Sequence, residues 1–166
     1  MPEVPLVQIS AGGLRAAVRL KSYSPNPDGV SFVPPELAEV ARQLNMGPGE
    51  CLLVSNVIEG PRLCESIERF VLGKGIAAAD LSSGIKSLRV EGLAAAQLLS
   101  KGCGLDFHQR VFPAGSCTRT RFAQLSVIVD CIAAQRSYEL YVGRSWLEYL
   151  RSWLGDAAEE FAPVPP

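Results

Sequence analysis

The chain has 166 residues, 48% of them hydrophobic, with 16 Lys and Arg against 17 Asp and Glu and a single His. A chain of this length buries about 70% of its unfolded surface and supports one domain without covalent staples. A net charge of −1 excludes the phosphate-neutralising field that non-specific nucleic-acid binding needs, and no apolar run reaches the roughly 18–20 residues of a membrane span, so a soluble protein is expected.

In chain order, residues 4–10 and 14–20 read as strands around Ala11-Gly12-Gly13, whose glycines suit a hairpin turn. The segment 23–35, with Ser24-Pro25-Asn26-Pro27-Asp28-Gly29, reads as a loop. Pro35 then opens a predicted helix in which Leu37, Val40, Ala41 and Leu44 follow at helical spacing, ended by Met46-Gly47-Pro48-Gly49. Residues 51–58 form an apolar run of strand length. Gly60-Pro61 opens a second helix, with Leu63, Ile67, Phe70 and Val71 on one stripe and Arg62, Glu65, Glu68 and Arg69 facing water, stopped at Gly73-Lys74-Gly75.

Residues 76–81 and 85–90 read as strands joined through Ser82-Ser83-Gly84, and 93–100 as a small-residue helix containing Ala94, Ala95 and Ala96. Residues 118–131 read as one long strand. Thr118, Thr120 and Phe122 share one parity and Leu125, Val127, Val129 and Cys131 the other, which places a bulge or bend at Ala123-Gln124. Tyr138, Leu140 and Val142 form a returning strand. Ser145-Trp146-Leu147-Glu148 has the spacing of a capping box, and Trp146, Leu147, Leu150, Trp153 and Leu154 make the apolar face of a last helix. The expected class is α+β, a mainly antiparallel sheet with helices packed on one side. One domain is expected over residues 1–160, with a frayed Pro-rich tail at 161–166.

Met1-Pro2-Glu3-Val4-Pro5 lacks the basic and apolar regions of a secretory signal, which predicts a cytoplasmic location. Cys51, Cys64, Cys103, Cys117 and Cys131 are odd in number and spaced 13, 39, 14 and 14 apart, without a C-x-x-C pair. They read as buried small hydrophobes in a reducing compartment. With His108 the sole imidazole, these residues assemble no protein-based zinc or iron site.

No standard catalytic constellation is present in the sequence. Gly47-Pro48-Gly49 follows a predicted helix and precedes a strand, the reverse of a dinucleotide fingerprint. Gly73-Lys74 has neither the preceding glycine nor the following hydroxyl of a phosphate loop, and Ser116 and Ser145 lie outside any G-x-S-x-G. His108, two residues after Asp106, reads as part of a local turn, with Asp106 as turn-former rather than general base. Arg119 and Arg121 share one strand face, with Arg110 near in sequence. That face suits a carboxylate, a phosphate or an acidic partner, or else ion pairs to Glu139 or Asp130 on a solvated surface. Trp146 and Trp153 read as core, although a subunit interface has the same pattern. No residue is assigned to catalysis, to a cofactor or to a metal. A domain without an assembled site reads as a subunit or binding module.

Three blocks resemble the gamma subunit of heterotetrameric sarcosine oxidase. The first runs through Ala79-Asp80-Leu81-Ser82-Ser83-Gly84, Leu88-Arg89-Val90-Glu91-Gly92 and Leu98-Leu99-Ser100-Lys101-Gly102-Cys103-Gly104-Leu105-Asp106. The second is Phe112-Pro113-Ala114-Gly115-Ser116-Cys117-Thr118-Arg119-Thr120-Arg121-Phe122-Ala123-Gln124, and the third Arg144-Ser145-Trp146 through Trp153-Leu154. Met46-Gly47-Pro48-Gly49-Glu50-Cys51-Leu52-Leu53 is similar to the family's turn-and-strand block, with Cys51 in place of the usual tryptophan.

More distantly, the same region is similar to the folate-binding domain of the glycine-cleavage T protein. That family holds the pterin through a carboxylate on the strand matching residues 120–127, a stretch without an acid here. The resemblance implies a non-catalytic subunit assembled with alpha, beta and delta subunits. Those partners would hold FAD, FMN, NAD, tetrahydrofolate and zinc, while the complex demethylates an N-methyl amine and passes the one-carbon unit to tetrahydrofolate. The alternatives are a free-standing folate-dependent transferase of the T-protein type and a small regulatory module binding an anion through Arg119 and Arg121.

Overall fold

The structure, a computed structural model, describes residues 6–23 and 32–162. The start of the first predicted strand, most of the predicted 23–35 loop and the end of the predicted tail lie outside them. The chain divides into two compact units, Gly13–Ile85 and Met1–Gly12 with Lys86–Pro166.

In the first of these units a four-stranded antiparallel sheet has the order β3-β4-β2-β5, built from β2 (Ala16–Ser22), β3 (Arg42–Gly47), β4 (Glu50–Ser55) and β5 (Ile76–Asp80). Alternate residues Ala16, Val18 and Leu20 of β2 and Cys51 and Leu53 of β4 turn to one side, as a two-residue period requires. They join Leu63, Ile67 and Val71 of α1 (Gly60–Val71) in one apolar cluster. Pro61 suits the first turn of α1, where its missing N–H breaks no ladder. The helix stops at Gly73, whose φ of +77° is the left-handed exit that glycine adopts freely.

Arg42–Gly47 is a strand, not the predicted helix; only Pro35–Leu37 make a 3-10 turn. The 37/40/41/44 spacing is too short to specify a helix by itself, and pairing with β4 from Arg42↔Val54 to Asn45↔Cys51 overrides it. Leu44 is still fully buried. The predicted hairpin around Ala11-Gly12-Gly13 also does not form. β1 (Gln8–Ala11) pairs with β6 (Ile85–Glu91), whereas β2 pairs with β4 and β5. Gly12 instead donates its N–H to the Ser87 carbonyl at 2.9 Å and continues the β1–β6 pairing.

The other unit holds a five-stranded sheet of order β1-β6-β9-β8-β7, with β7 (Cys117–Phe122), β8 (Leu125–Ala133) and β9 (Ser137–Gly143). The predicted neighbours β5 and β6 therefore belong to different sheets. One face carries Leu88 and Val90 of β6, Val127, Val129 and Cys131 of β8, and Tyr138, Leu140 and Val142 of β9. Against it pack Leu98 and Leu99 of α2 (Ala95–Ser100) and Leu150 and Leu154 of α3 (Leu147–Ala158). Phe122 meets Trp153 edge-to-face with ring centroids 5.1 Å apart.

Residues 118–131 are a hairpin rather than one bent strand. Ala123 and Gln124, with φ of +46° and +71°, form the two-residue turn between β7 and β8. The parity change marked this point, but both residues are unusual choices for positive φ. The capping box is absent too: Arg144–Trp146 form a 3-10 turn, and α3 starts after Trp146 without a side-chain cap. This turn leaves Trp146 53% exposed, off the core, against Tyr149. The α+β, mainly antiparallel architecture is as expected from the sequence.

Candidate functional site

The second face of the five-stranded sheet is charged. Strand alternation turns Ser87, Arg89 and Glu91 of β6, Ser137 and Glu139 of β9, and Asp130 of β8 away from the apolar core. Asp130 and Glu139 stand opposite each other in the β8–β9 register and are 0% and 3% exposed. Arg89 Nε donates to Glu139 Oε2 at 2.6 Å, and its guanidinium lies 3.8 Å from Glu91 Oε1, which accepts from Ser137 Oγ at 2.9 Å. Burial works against the Arg89 charge. The hydrogen bond and attraction of Glu139, reinforced by Glu91, outweigh it and raise the Arg89 pKa above its ordinary value.

Beside Ser87 and Glu139 this face is closed by the chain itself. A Cβ on Gly12 would overlap Ser87 Oγ and Glu139 Oε1 and stand 2.8 Å from Ser87 Cβ, so backbone fills the space beside the carboxylate. A pterin presents paired N–H donors that need a free carboxylate and room for a ring. Residues 120–127, the stretch where that family carries its carboxylate, hold none, and Glu139 on β9 is already bound to a guanidinium and walled by Gly12, so these residues do not fit that group.

Sequence reasoning overlooked this cluster: Arg89 and Glu139 are 50 residues apart, and nothing local to either marks the pairing. The residues it did single out are dispersed. Arg119 and Arg121 share one face of the edge strand β7 and are exposed, as expected. Arg121 donates to Gln124 Oε1, and the carboxylate of Glu139 is taken by Arg89 rather than by this pair. Arg110 donates its backbone N–H to His108 Nδ1 at 3.2 Å, while Asp106 accepts from the His108 backbone N–H at 2.8 Å, the local turn predicted for this pair. None of the five cysteines forms a disulfide; Cys51, Cys64 and Cys131 are buried, Cys103 and Cys117 half-buried. Burial pushes the Cys64 and Cys103 thiols up, making them poor nucleophiles. Among the described residues no group of three His, Cys, Asp or Glu is placed to hold a metal, and no helix is long and apolar enough to cross a membrane.

Residues 37–160 match the profile of the "Sarcosine oxidase, gamma subunit family". The chain belongs to that family. The gamma subunit of sarcosine oxidase from Corynebacterium sp. (strain U-96) is 29% identical over 136 residues, covering 78% of this chain and 65% of that protein. The gamma subunit from Arthrobacter sp. is 31% identical over 125 residues, covering 75% and 60%. The chain thus spans slightly less than two thirds of the length of these curated relatives. A chain of the heterotetrameric sarcosine oxidase from Corynebacterium sp. U-96, solved in complex with pyrrole 2-carboxylate, superposes with a TM-score of 0.77 at 24% identity, covering 96% of this chain and 87% of that one. The glycine cleavage system aminomethyltransferase T from Bartonella henselae gives 0.63 at 14% identity, covering 93% and 47%. Both share the fold, in agreement with the two resemblances read from the sequence.

Proposed function

We propose that this sarcosine oxidase gamma-family chain is a non-catalytic assembly subunit of a flavin-dependent complex that oxidatively demethylates an N-methyl amine and delivers the one-carbon unit to tetrahydrofolate. FAD, FMN, NAD, tetrahydrofolate and zinc would be held by alpha, beta and delta partners in a cytoplasmic heterotetramer. The observation that carries the non-catalytic reading is the Arg89–Glu139 pair, which commits Glu139, one of the two buried carboxylates of the charged face, to the chain's own guanidinium. Family membership supports the assembly reading.

Co-expression with the large subunits should yield a stable, co-purifying complex whose amine oxidation depends on the presence of this chain. A monodisperse monomer that ignores those subunits would overturn the proposal. The fold shared with the aminomethyltransferase favours a second reading, a free-standing folate-dependent transferase. Saturable tetrahydrofolate binding to the isolated chain would support it, and no binding at near-millimolar ligand would remove it. An anion module built on Arg119 and Arg121 predicts that replacing both with Ala weakens anion binding without unfolding the chain.

A further inference from the structure

Of the sheet edges, that of β5 is the least protected. β3 carries Arg42 and an irregular register at Asn45/Gly47, β7 carries Arg119 and Arg121, and β1 has four residues. Such charges, bulges and short lengths are how natural sheets avoid edge pairing. β5 reads Ile-Ala-Ala-Ala-Asp, with no charge before Asp80.

Its hydrogen-bonding sense follows from the ladder. The Gly75 carbonyl accepts from the Tyr23 N–H at 3.0 Å and the Leu81 N–H donates to Ala17 at 2.7 Å, so residues 75, 77, 79 and 81 face β2. Alternation turns the N–H and C=O of Ile76 and Ala78 outward, where among the described residues no strand meets them. Asp80 directs its own N–H at the Cys64 thiol.

That outer edge is one wall of an open hollow of about 460 Å³, with Glu68, Val71 and Leu72 of α1 and its exit forming the opposite wall. Leu72 is 82% exposed and Tyr23, at the mouth, 75%. Glu68 and Asp80 are exposed, and neither belongs to an ion pair among the described residues; their bonds go to Cys64 and Ser82. The neighbouring Lys74 sits 3.7 Å over the Phe70 ring. A helix wall beside a bare strand edge is the geometry in which extended peptides are taken up, the backbone providing affinity and alternate side chains specificity.

We propose that this groove takes an extended segment of a partner subunit, added to β5 as a fifth strand. One of its apolar side chains lies against Val71, Leu72 and Ile76, and a Lys or Arg pairs with Glu68. The inference rests on the subunit reading and deepens it. Hydrogen exchange at the Ile76 and Ala78 amides, measured in the free chain and in the co-expressed complex, tests it; assembly should slow both by about tenfold or more. Ala78→Pro removes one outward donor at an edge that tolerates proline, and Glu68→Lys reverses the wall charge. Each should weaken capture of the partner about tenfold, and Glu68→Lys carries that test if the proline variant fails to fold. A complex in which both amides exchange as fast as in the free chain overturns the groove and leaves the subunit reading standing. Failure of the wild-type chain to enter any complex overturns both. Protection that rises with the concentration of the free chain gives the groove to a second copy and overturns the proposed occupant.

Discussion

In the four-stranded sheet Ser55 is the one buried polar residue, whereas the five-stranded sheet and its loops bury Ser87, Asp130, Ser137 and Glu139 among the described residues. Ser55 is fully used: its hydroxyl donates to the Val40 carbonyl at 2.6 Å and accepts from the N–H groups of Val57 and Ile58. The first sheet is therefore held mainly by non-directional apolar burial, which tolerates volume-conserving exchange, and its Arg19–Glu50 ion pair at 2.6 Å leaves both side chains partly in water. The second has a guanidinium–carboxylate pair whose carboxylate, Glu139, is buried, so that its loss on one side is costly although its joint replacement is not. Two regions of similar architecture thus respond differently to substitution.

The largest effect is expected in the apolar unit. Ile67 is fully buried at the centre of the α1–sheet contact, so Ile67→Ala should lower stability by about 2–5 kcal/mol and Ile67→Val by about 0.5–1.5 kcal/mol. Denaturant midpoints followed by circular dichroism measure both. A loss below about 1 kcal/mol for the alanine variant would mean that α1 is not the keystone of this core. In the charged unit, Glu139→Ala strands Arg89 beside Glu91 alone. Because the Arg89 side chain is 35% exposed, water screens part of the penalty and about 2 kcal/mol is expected. Joining Arg89→Met to Glu139→Leu should return stability to within about 1 kcal/mol of wild type. A double variant no better than Glu139→Ala would place the cost in packing and erase the contrast between the sheets.

Legibility divides along similar lines. α1 was readable end to end because its apolar stripe and its glycine stop are local signals. The α+β class followed from strand-length apolar runs without a strict βαβ alternation. Pairing was less readable: β1 finds β6 across some 80 residues of sequence, and Gly12, which suggested a tight turn, instead permits the close approach of its backbone to Ser87 and Glu139. A separation of 50 residues likewise hid the Arg89–Glu139 pair. Trp146 was misplaced because a 3-10 turn before α3 rotates it off the stripe that Leu150 and Leu154 continue.

The β7–β8 turn shows where a local signal is detected but misassigned. Ala123 and Gln124 occupy positive φ without the glycine or asparagine that announces such a turn, and Ala123 is held there by its N–H bond to the Gly102 carbonyl at 2.9 Å. Gln124→Gly should relieve the φ of +71° and raise stability by up to about 1 kcal/mol, less the exposed bond from Arg121. A lower melting temperature for this variant would show that the Arg121–Gln124 contact, not backbone strain, dominates the turn.

The smallest expected effect compares one thiol from each unit. Cys103 is raised above the ordinary 9.0 by burial, opposed by a backbone bond at Leu105; Cys64 is raised by burial and further by the charges of Glu68 and Asp80. A raised thiol pKa means that the folded state holds the proton more tightly than the unfolded chain. Each thiol therefore contributes stability that is present below pH 9 and lost as pH rises through its folded value. Iodoacetamide labelling should be slow at both sites at pH 8. Glu68→Gln removes one of the charges and the carboxylate that accepts from the Cys64 thiol at 3.8 Å. It should accelerate labelling of Cys64 and leave Cys103 unchanged. Equal acceleration at both sites would signal general loosening, and no change at Cys64 would assign its shift to burial and Asp80.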